Sequence, residues 1–286
     1  MGKTKGSFTD LLRLPPGPVD LAAIATDGTP GFDGDKDDGN DALADLAEPL
    51  SDLQERLFAE RTTGSTRRVL LVLQGMDTAG KGGVIRSAVA LVDPQGVRIT
   101  SFKAPTEEEL AHDFLWRIAK AVPEPGYLGV FDRSHYEDVL IGRVRELADA
   151  DEIERRYGAI NDFEADLVAD GVLVIKCMLH ISAEEQKERL LARLDDEEKH
   201  WKFNPGDIDE RELWPAYQEA YRIAVERTNT DHAPWYVVPS DRKWYRNMAI
   251  AHLLLEAFES MDLGWPKADF DVAGQRARLV EEDPIP

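Results

Sequence analysis

Residues 69–85 read Val69-Leu70-Leu71-Val72-Leu73-Gln74-Gly75-Met76-Asp77-Thr78-Ala79-Gly80-Lys81-Gly82-Gly83-Val84-Ile85. The apolar run Arg68–Gln74 is short and stops at a glycine, the pattern of a buried strand, and Lys81–Leu91 carries helix-forming sequence. Between them Gly75–Lys81 matches G-x-x-x-x-G-K, the phosphate-binding loop. Glycines let successive backbone N–H groups turn inward around phosphate oxygens. The helix N-terminus adds partial positive charge, and Lys81 sets an ammonium on the outer phosphates. Gly75, Thr78, Ala79, Gly80, Gly82 and Gly83 are therefore the expected phosphate-binding positions. A ligand-free glycine turn is the plain alternative, and the flanking strand and helix weigh against it.

The residue after the loop lysine is Gly82, where a magnesium-binding Ser or Thr is usual. A metal ion must then find another ligand. Asp77 lies inside the loop, where a carboxylate beside phosphates is costly unless a cation stands between them. The second carboxylate is expected from Tyr127-Leu128-Gly129-Val130-Phe131-Asp132, an apolar strand ending in Asp. In a parallel sheet, ligands gather beyond the carboxyl ends of the strands, which puts Asp132 beside the loop. Asp77 and Asp132 are thus the expected ligands of a Mg²⁺ ion. Arg133 follows and can contact a phosphoryl group. No N-K-x-D guanine motif is present, which weighs against a GTPase.

Outward from this unit, strands and helices alternate. Further strands are expected at Val97–Phe102, Tyr127–Phe131, Gly171–Leu179 and Trp235–Pro239. Helices are expected at 41–61, 107–121, 182–194 (capped by Ser182), 213–228 and 242–261, with a long helical region split near 148–151. Residues 195–212 read as charged and irregular. The alternation predicts an α/β fold: a five-stranded parallel sheet with helices on both faces. Residues 1–40 read as a polar N-terminal arm, 41–263 as the catalytic domain and 264–286 as a loosely ordered tail. Within the arm, Asp33, Asp35 and Asp37 invite a calcium-loop reading. It fails because Asp38 and Ala44 occupy the positions that need Gly and Glu.

Composition narrows the function classes. The 286 residues carry 34 Lys and Arg against 55 Asp and Glu, a net charge of −21. The excess sits at both ends, and the middle third, which holds the loop, is close to neutral. Such a body repels nucleic acid at long range. No apolar run is long enough to span a bilayer, and no secretory pattern follows the first residues. One cysteine excludes an internal disulfide framework and a cysteine-built metal site. The expectation is a cytoplasmic protein that binds neither nucleic acid nor membrane. Cys177 reads as a buried, inert thiol. Ser134-His135 resembles a hydrolase pair only through adjacency, and a structural role is expected for His135.

Several ordered motifs carry a resemblance. They are Gln74–Lys81; Phe131-Asp132-Arg133-Ser134-His135-Tyr136-Glu137-Asp138-Val139; Ser101-Phe102-Lys103-Ala104-Pro105-Thr106; His112–Arg117; Trp201-Lys202-Phe203; Ala233–Pro239; and Lys243-Trp244-Tyr245-Arg246-Asn247. With these the chain resembles the polyphosphate kinase 2 family over about residues 25–262, and looks closest to the branch that accepts nucleoside mono- and diphosphates. Gly82-Gly83 is more similar to the diphosphate branch.

The resemblance implies a thymidylate-kinase-like P-loop kinase fold with a helical lid at about 187–206. It implies Mg²⁺-dependent phosphoryl transfer between inorganic polyphosphate and adenine nucleotides, with guanine nucleotides left open, in a homodimer or homotetramer. The family's catalytic groups fall on Asp77, Lys81, Asp132, Arg133 and the lid residue Arg193, with Arg189 one turn earlier as a phosphate contact. A polyphosphate chain also needs a basic track, for which Lys103, Arg86, Arg117 and Lys120 are the candidates, Lys103 first because it follows a strand end. In the lid, Trp201 and Phe203 are expected to pack rather than to stack on a base. An ATP-dependent nucleoside monophosphate kinase and a non-catalytic phosphate-binding protein are the competing readings; donor choice and turnover separate them.

Overall fold

The computed structural model describes residues 3–282 of the chain. Strand β3 (Arg68–Gln74) forms the centre of a five-stranded sheet in the order β4-β5-β3-β6-β7, with β4 at Val97–Ser101, β5 at Leu128–Asp132, β6 at Val172–His180 and β7 at Trp235–Pro239. Every pairing in it is parallel. All seven residues of β3 are buried, which requires cover on both faces and explains a run without alternation. Helices α3 (Ala47–Glu60), α4 (Lys81–Ser87) and α12 (Lys243–Ser260) pack together; α7 (Ile141–Val144), α8 (Ala150–Ala169) and α11 (Trp214–Thr228) form a second group. The expected α/β sheet is present, each strand within about a residue of its sequence-read bounds.

Helix ends depart from expectation for identifiable reasons. The single helix expected at 41–61 is two, α2 (Lys36–Asp45) and α3. Pro49 has no N–H, and its ring clashes with the carbonyl four residues back, so the chain breaks before it. The start moves to Lys36 because Asp35 and Asp38 make a reciprocal capping box, which also accounts for Asp35 of the rejected calcium loop. Helix 107–121 is likewise divided into α5 (Glu107–Leu110) and α6 (Trp116–Ala121), with the Asp113 side chain accepting from Leu115 N between them. The region 195–212 is more regular than expected. It holds a 3₁₀ turn at Glu197–Lys202 and helix α10 (Gly206–Glu212), following α9 (Ala183–Leu194). The tail forms helix α13 (Val272–Glu281), capped by Asp271.

The arm is not merely polar. Helix α1 (Phe8–Leu12) and the following chain give Phe8, Leu12, Leu14, Val19, Leu21 and Phe32 to the core. A short antiparallel pair, β1 (Lys3–Thr4) with β2 (Phe32–Asp33), closes it. Charge anchors it: the Glu256 carboxylate on α12 accepts from Ser7 Oγ (2.7 Å), Phe8 N (2.7 Å) and Thr9 N (2.8 Å). Sequence periodicity misses such a segment because its apolar residues follow no period and its anchors lie some 200 residues away.

Partial burial opposes ionisation of Glu256, but the hydrogen bonds from Thr9, Ser7 and Phe8 outweigh it, so its pKa lies below the usual glutamate value. A depressed carboxylate stabilises the fold above its unfolded pKa and loses that contribution as pH falls through the folded value. Glu256→Gln is therefore expected to cost about 1–2 kcal/mol near pH 7. The melting-temperature gap to wild type should narrow once pH drops below about 4.5. Thermal unfolding at pH 7, 5 and 4 checks this.

Candidate active site

The loop after β3 leads into α4 through residues of unusual backbone. Thr78 (φ +64°) and Gly80 (φ +112°) are left-handed, as is Arg133 (φ +64°) at the end of β5. Each non-glycine case costs about 1–2 kcal/mol, so neighbours must impose it. Four loop carbonyls are held by side chains. Lys81 Nζ donates to Gly75 O (2.8 Å), Gln186 Nε2 to Asp77 O (2.9 Å), Arg189 Nη1 to Thr78 O (2.9 Å), and Arg189 and Arg246 both to Ala79 O (3.1 and 2.9 Å). The carbonyls are thereby committed away from a ligand, which leaves amide hydrogens to face an anion. The Thr78 hydroxyl is buried with no partner among the described residues.

Two glycines of the loop are explained by Arg246, a buried residue of α12. A Cβ at Gly80 would lie 1.8 Å from its Nη1, and one at Gly83 2.6 Å from its Nη2. Gly82 is under no such pressure, since its Cβ would meet only Arg86 Nη1 at 3.4 Å. Burial, with Arg189 and Arg86 nearby, pulls the Arg246 pKa down to about 9.

On the reacting side, Arg133 Nη2 donates to Asp77 Oδ1 (2.9 Å), and its Nη1 stands 3.7 Å from Glu137 Oε2. Burial and the neighbouring Arg133 guanidinium lower the Lys81 pKa, against the pull of Asp77, Glu137 and Asp132. Burial raises the Glu137 pKa, against Arg133 and Lys81. These shifts tie Asp77, Lys81, Asp132, Arg133 and Glu137 into one electrostatic group. Asp132 lies at the edge nearer β4, where Ser101 Oγ is 3.5 Å from Oδ2. Glu137 was not among the expected site residues. It stands on a 3₁₀ turn (His135–Asp138) directly behind Arg133, so its motif position was the available signal. Oriented to suit its surroundings, the Gln74 amide donates to Glu137 Oε1 (2.9 Å) and accepts from Ser134 N (2.9 Å).

The expected cations divide into two sets. Arg86 joins Arg193, Lys199, Lys202, Lys243 and Arg246 around a cavity of about 250 Å³ that touches Thr78, Gly80 and Gly83. Arg193 donates to Lys202 O (3.0 Å) and lies 3.5 Å from Asp207. Lys103, Arg117 and Lys120 line a separate hollow at the end of β4. They are two strands removed from the loop because β5 stands between β4 and β3. Arg117 is engaged by Lys103 O (2.9 Å), Glu109 and Asp138, and Lys120 Nζ sits 3.7 Å over the Trp116 ring. Only Lys103 of that set is open.

Arg189, expected to bind phosphate, is placed otherwise. Its five N–H groups meet Glu185, Thr78 O, Ala79 O, Ser240 O and Asp241 O, so it braces the loop. Trp201, expected to pack, is 79% exposed, because the Glu197–Lys202 turn lies on the surface. Cys177 is buried in β6, and burial pushes its thiol pKa up. Ser134 and His135 do not pair. Ser134 Oγ donates to the Gln74 side-chain oxygen and accepts from Tyr136 N, while His135 meets Glu164.

A second cavity of about 250 Å³ opens on the other side of the loop, walled by Asp77, Arg133, Glu137, Asp207, Tyr217 and Tyr221 among others. The loop thus separates a cationic cavity from a mixed acidic and aromatic one. Gly80→Ala is expected to lower nucleotide affinity by at least about tenfold through displacement of Arg246, whereas Gly82→Ala stays within about twofold of wild type. Equilibrium binding of a nucleoside diphosphate to both variants checks this.

Comparison with known proteins gives the family. The model of the family described as polyphosphate kinase 2 matches residues 33–264. The AMP/ADP-polyphosphate phosphotransferase of Meiothermus ruber is 46% identical over 255 residues, spanning 89% of this chain and 94% of that protein. The ADP-polyphosphate phosphotransferase of Rhodopseudomonas palustris is 38% identical, spanning 87% and 89%. The crystal structure of polyphosphate kinase 2 from Arthrobacter aurescens TC1 superposes with a TM-score of 0.95 at 54% identity, covering 98% of this chain and 99% of that one. With its P-loop at the centre of a five-stranded parallel sheet, the chain belongs to the polyphosphate kinase 2 family.

Proposed function

We propose that this chain transfers a terminal phosphoryl group between inorganic polyphosphate and a nucleoside diphosphate, with the monophosphate as a second acceptor. The observation that carries the reading is the cationic cavity against the loop. In a chain of net charge −21, seven Lys and Arg side chains converge there beside Thr78 and Gly80. Convergence of like charge is costly unless a polyanion occupies it. The family membership and the names of the Meiothermus ruber and Rhodopseudomonas palustris relatives support the same donor and acceptors. The proposal keeps Arg86 in the polyphosphate track and replaces Lys103, Arg117 and Lys120 with Arg193, Lys199, Lys202 and Lys243. It places the nucleotide on the side of Tyr217 and Tyr221.

The residues fit a divalent cation. Asp77 and Asp132 offer hard carboxylate oxygens at the loop, and Glu137 is a half-buried carboxylate near them. No cluster of three His, Cys, Asp or Glu suited to a metal occurs among the described residues. An ion held by one or two carboxylates plus substrate phosphates is the habit of Mg²⁺. When bound, such an ion would neutralise charge on the phosphate oxygens.

The chain's own groups do the positioning. Loop amides and Lys81 hold the phosphates at the point of transfer. Arg133, fixed by Asp77 and Glu137, faces the transferring group from one side and Arg193 from the other. A loose transition state spreads charge over the three outer oxygens, which these cations stabilise. The attacking group is already an ionised phosphate oxygen, so no base is required. A shorter polyphosphate and a nucleoside triphosphate leave. Closure of the lid, α9 through α10, would exclude water and suppress hydrolysis. No described helix is long and apolar enough to cross a membrane, and the proposed setting is the cytoplasm.

Purified protein with Mg²⁺ and long-chain polyphosphate is expected to make ATP from ADP, and ADP from AMP. Reaction of ATP with AMP alone would assign an ordinary nucleotide kinase instead. Arg193→Ala should lower kcat by about a thousandfold, following arginine-finger effects. Paired charge reversal, Lys199→Glu with Lys202→Glu, should raise KM for polyphosphate by about tenfold with KM for ADP little changed. Lys103→Glu should leave both constants near wild type; steady-state kinetics decide between the two tracks.

A further inference from the structure

The turn that follows Arg133 is fastened from behind by a polar network that the proposed reaction does not use. Glu164 of α8 and Lys176 of β6 are both 0% exposed. Lys176 Nζ donates to Glu164 Oε2 (2.6 Å), to Tyr136 Oη (3.0 Å) and to Thr228 O (2.7 Å). Glu164 Oε1 accepts from Tyr136 Oη (2.7 Å) and lies 3.2 Å from His135 Nε2. One carboxylate thus grips two consecutive side chains of the turn. The Tyr136 ring packs edge-on against Trp235, whose Nε1 donates to Thr228 Oγ1 (2.9 Å).

A buried ion pair is an expensive way to fill a core, and well-packed apolar residues often do as well or better for stability alone. What an ion pair adds is direction. Here it acts on the residues just after a left-handed arginine, a backbone state that persists only where the surroundings over-determine it. The same turn carries Glu137, which stands against Arg133 Nη1. The front of the turn is held by Gln74 and by Arg156 Nη1 donating to Asp138 O (2.9 Å); the back is held by Glu164 and Lys176.

We infer that Glu164, Lys176 and Tyr136 are positioning residues for phosphoryl transfer. They keep Arg133 in its left-handed conformation on Asp77 and keep Glu137 beside it, while remaining outside both cavities themselves. The inference rests on the proposed reaction and goes beyond it by assigning three residues that touch no substrate.

The test compares kcat and KM for ADP and polyphosphate in wild type, Tyr136→Phe and Glu164→Gln, with near-ultraviolet circular dichroism and thermal unfolding of each. Tyr136→Phe keeps the ring and removes only the hydroxyl. Its kcat is expected to fall by at least about tenfold at temperatures well below unfolding, with each KM within about twofold. In an Arg133→Ala background the same substitution should change the residual kcat by less than about twofold, because its effect runs through Arg133. Unchanged kcat in Tyr136→Phe overturns the inference, and so does an equal loss in both backgrounds. Should Glu164→Gln fail to fold, Tyr136→Phe decides alone. A wild-type chain that transfers nothing removes the reaction and the inference together, whereas an active wild type with an equally active Tyr136→Phe removes only the inference.

Discussion

Two guanidinium groups converge on the carbonyl oxygen of Ala79, and the rest of the site depends on that meeting. A phosphate cradle works only if its peptide units present N–H groups inward. Every peptide so turned leaves a carbonyl that must be satisfied elsewhere, because an unpaired buried carbonyl costs about 1–3 kcal/mol. Here the satisfaction comes from long side chains: Lys81 from within, Gln186 and Arg189 from α9, Arg246 from α12. The loop is therefore assembled by two distant helices. Neither arginine is free for a ligand without loosening that assembly.

This requirement propagates outward. Arg246 lies flat against the loop, so a side chain at position 80 or 83 would have to displace it. Arg246 must also be held there, which makes the seating of α12 important. That helix packs on α2, α3 and α4 and is clasped by the arm through Glu256 and through Tyr245 Oη donating to Pro30 O (2.7 Å). A segment that contributes nothing to the chemistry thus holds in place the helix that shapes the phosphate loop.

Features carried by local pattern were legible in the sequence. The strand Arg68–Gln74, the loop, Asp132 at a strand end and Ser182 as a helix cap all stand where short-range rules put them. What escaped was set by distant partners. Nothing around Arg189 distinguishes a residue that binds phosphate from one whose donors meet Ser240 and Asp241, because those acceptors are some 50 residues away. The proposed basic track differs from the one read from the sequence for a similar reason. Lys103 follows a strand end, as a ligand-binding residue should, but strand order decides which end borders the loop, and β4 lies at the sheet's edge. Lys199, Lys202 and Lys243 come from two segments that only the folded chain brings together. Glu137 lay in plain view within a motif, but its inward direction comes from the turn behind Arg133.

Helix α9 is built like a cantilever. Its root is bolted to the loop by Gln186 and Arg189, and its outer end carries Arg193, about 6 Å beyond Arg189 at 1.5 Å per residue. A stiff beam fixed at one end converts a load at its tip into torque at its root. A polyanion that draws the tip inward therefore bears on the carbonyls of Asp77 and Thr78, the peptide groups that aim the phosphate-binding amides. On the proposed function, filling of the cationic cavity and tuning of the cradle are then one mechanical event, transmitted through one helix and the two side chains at its root.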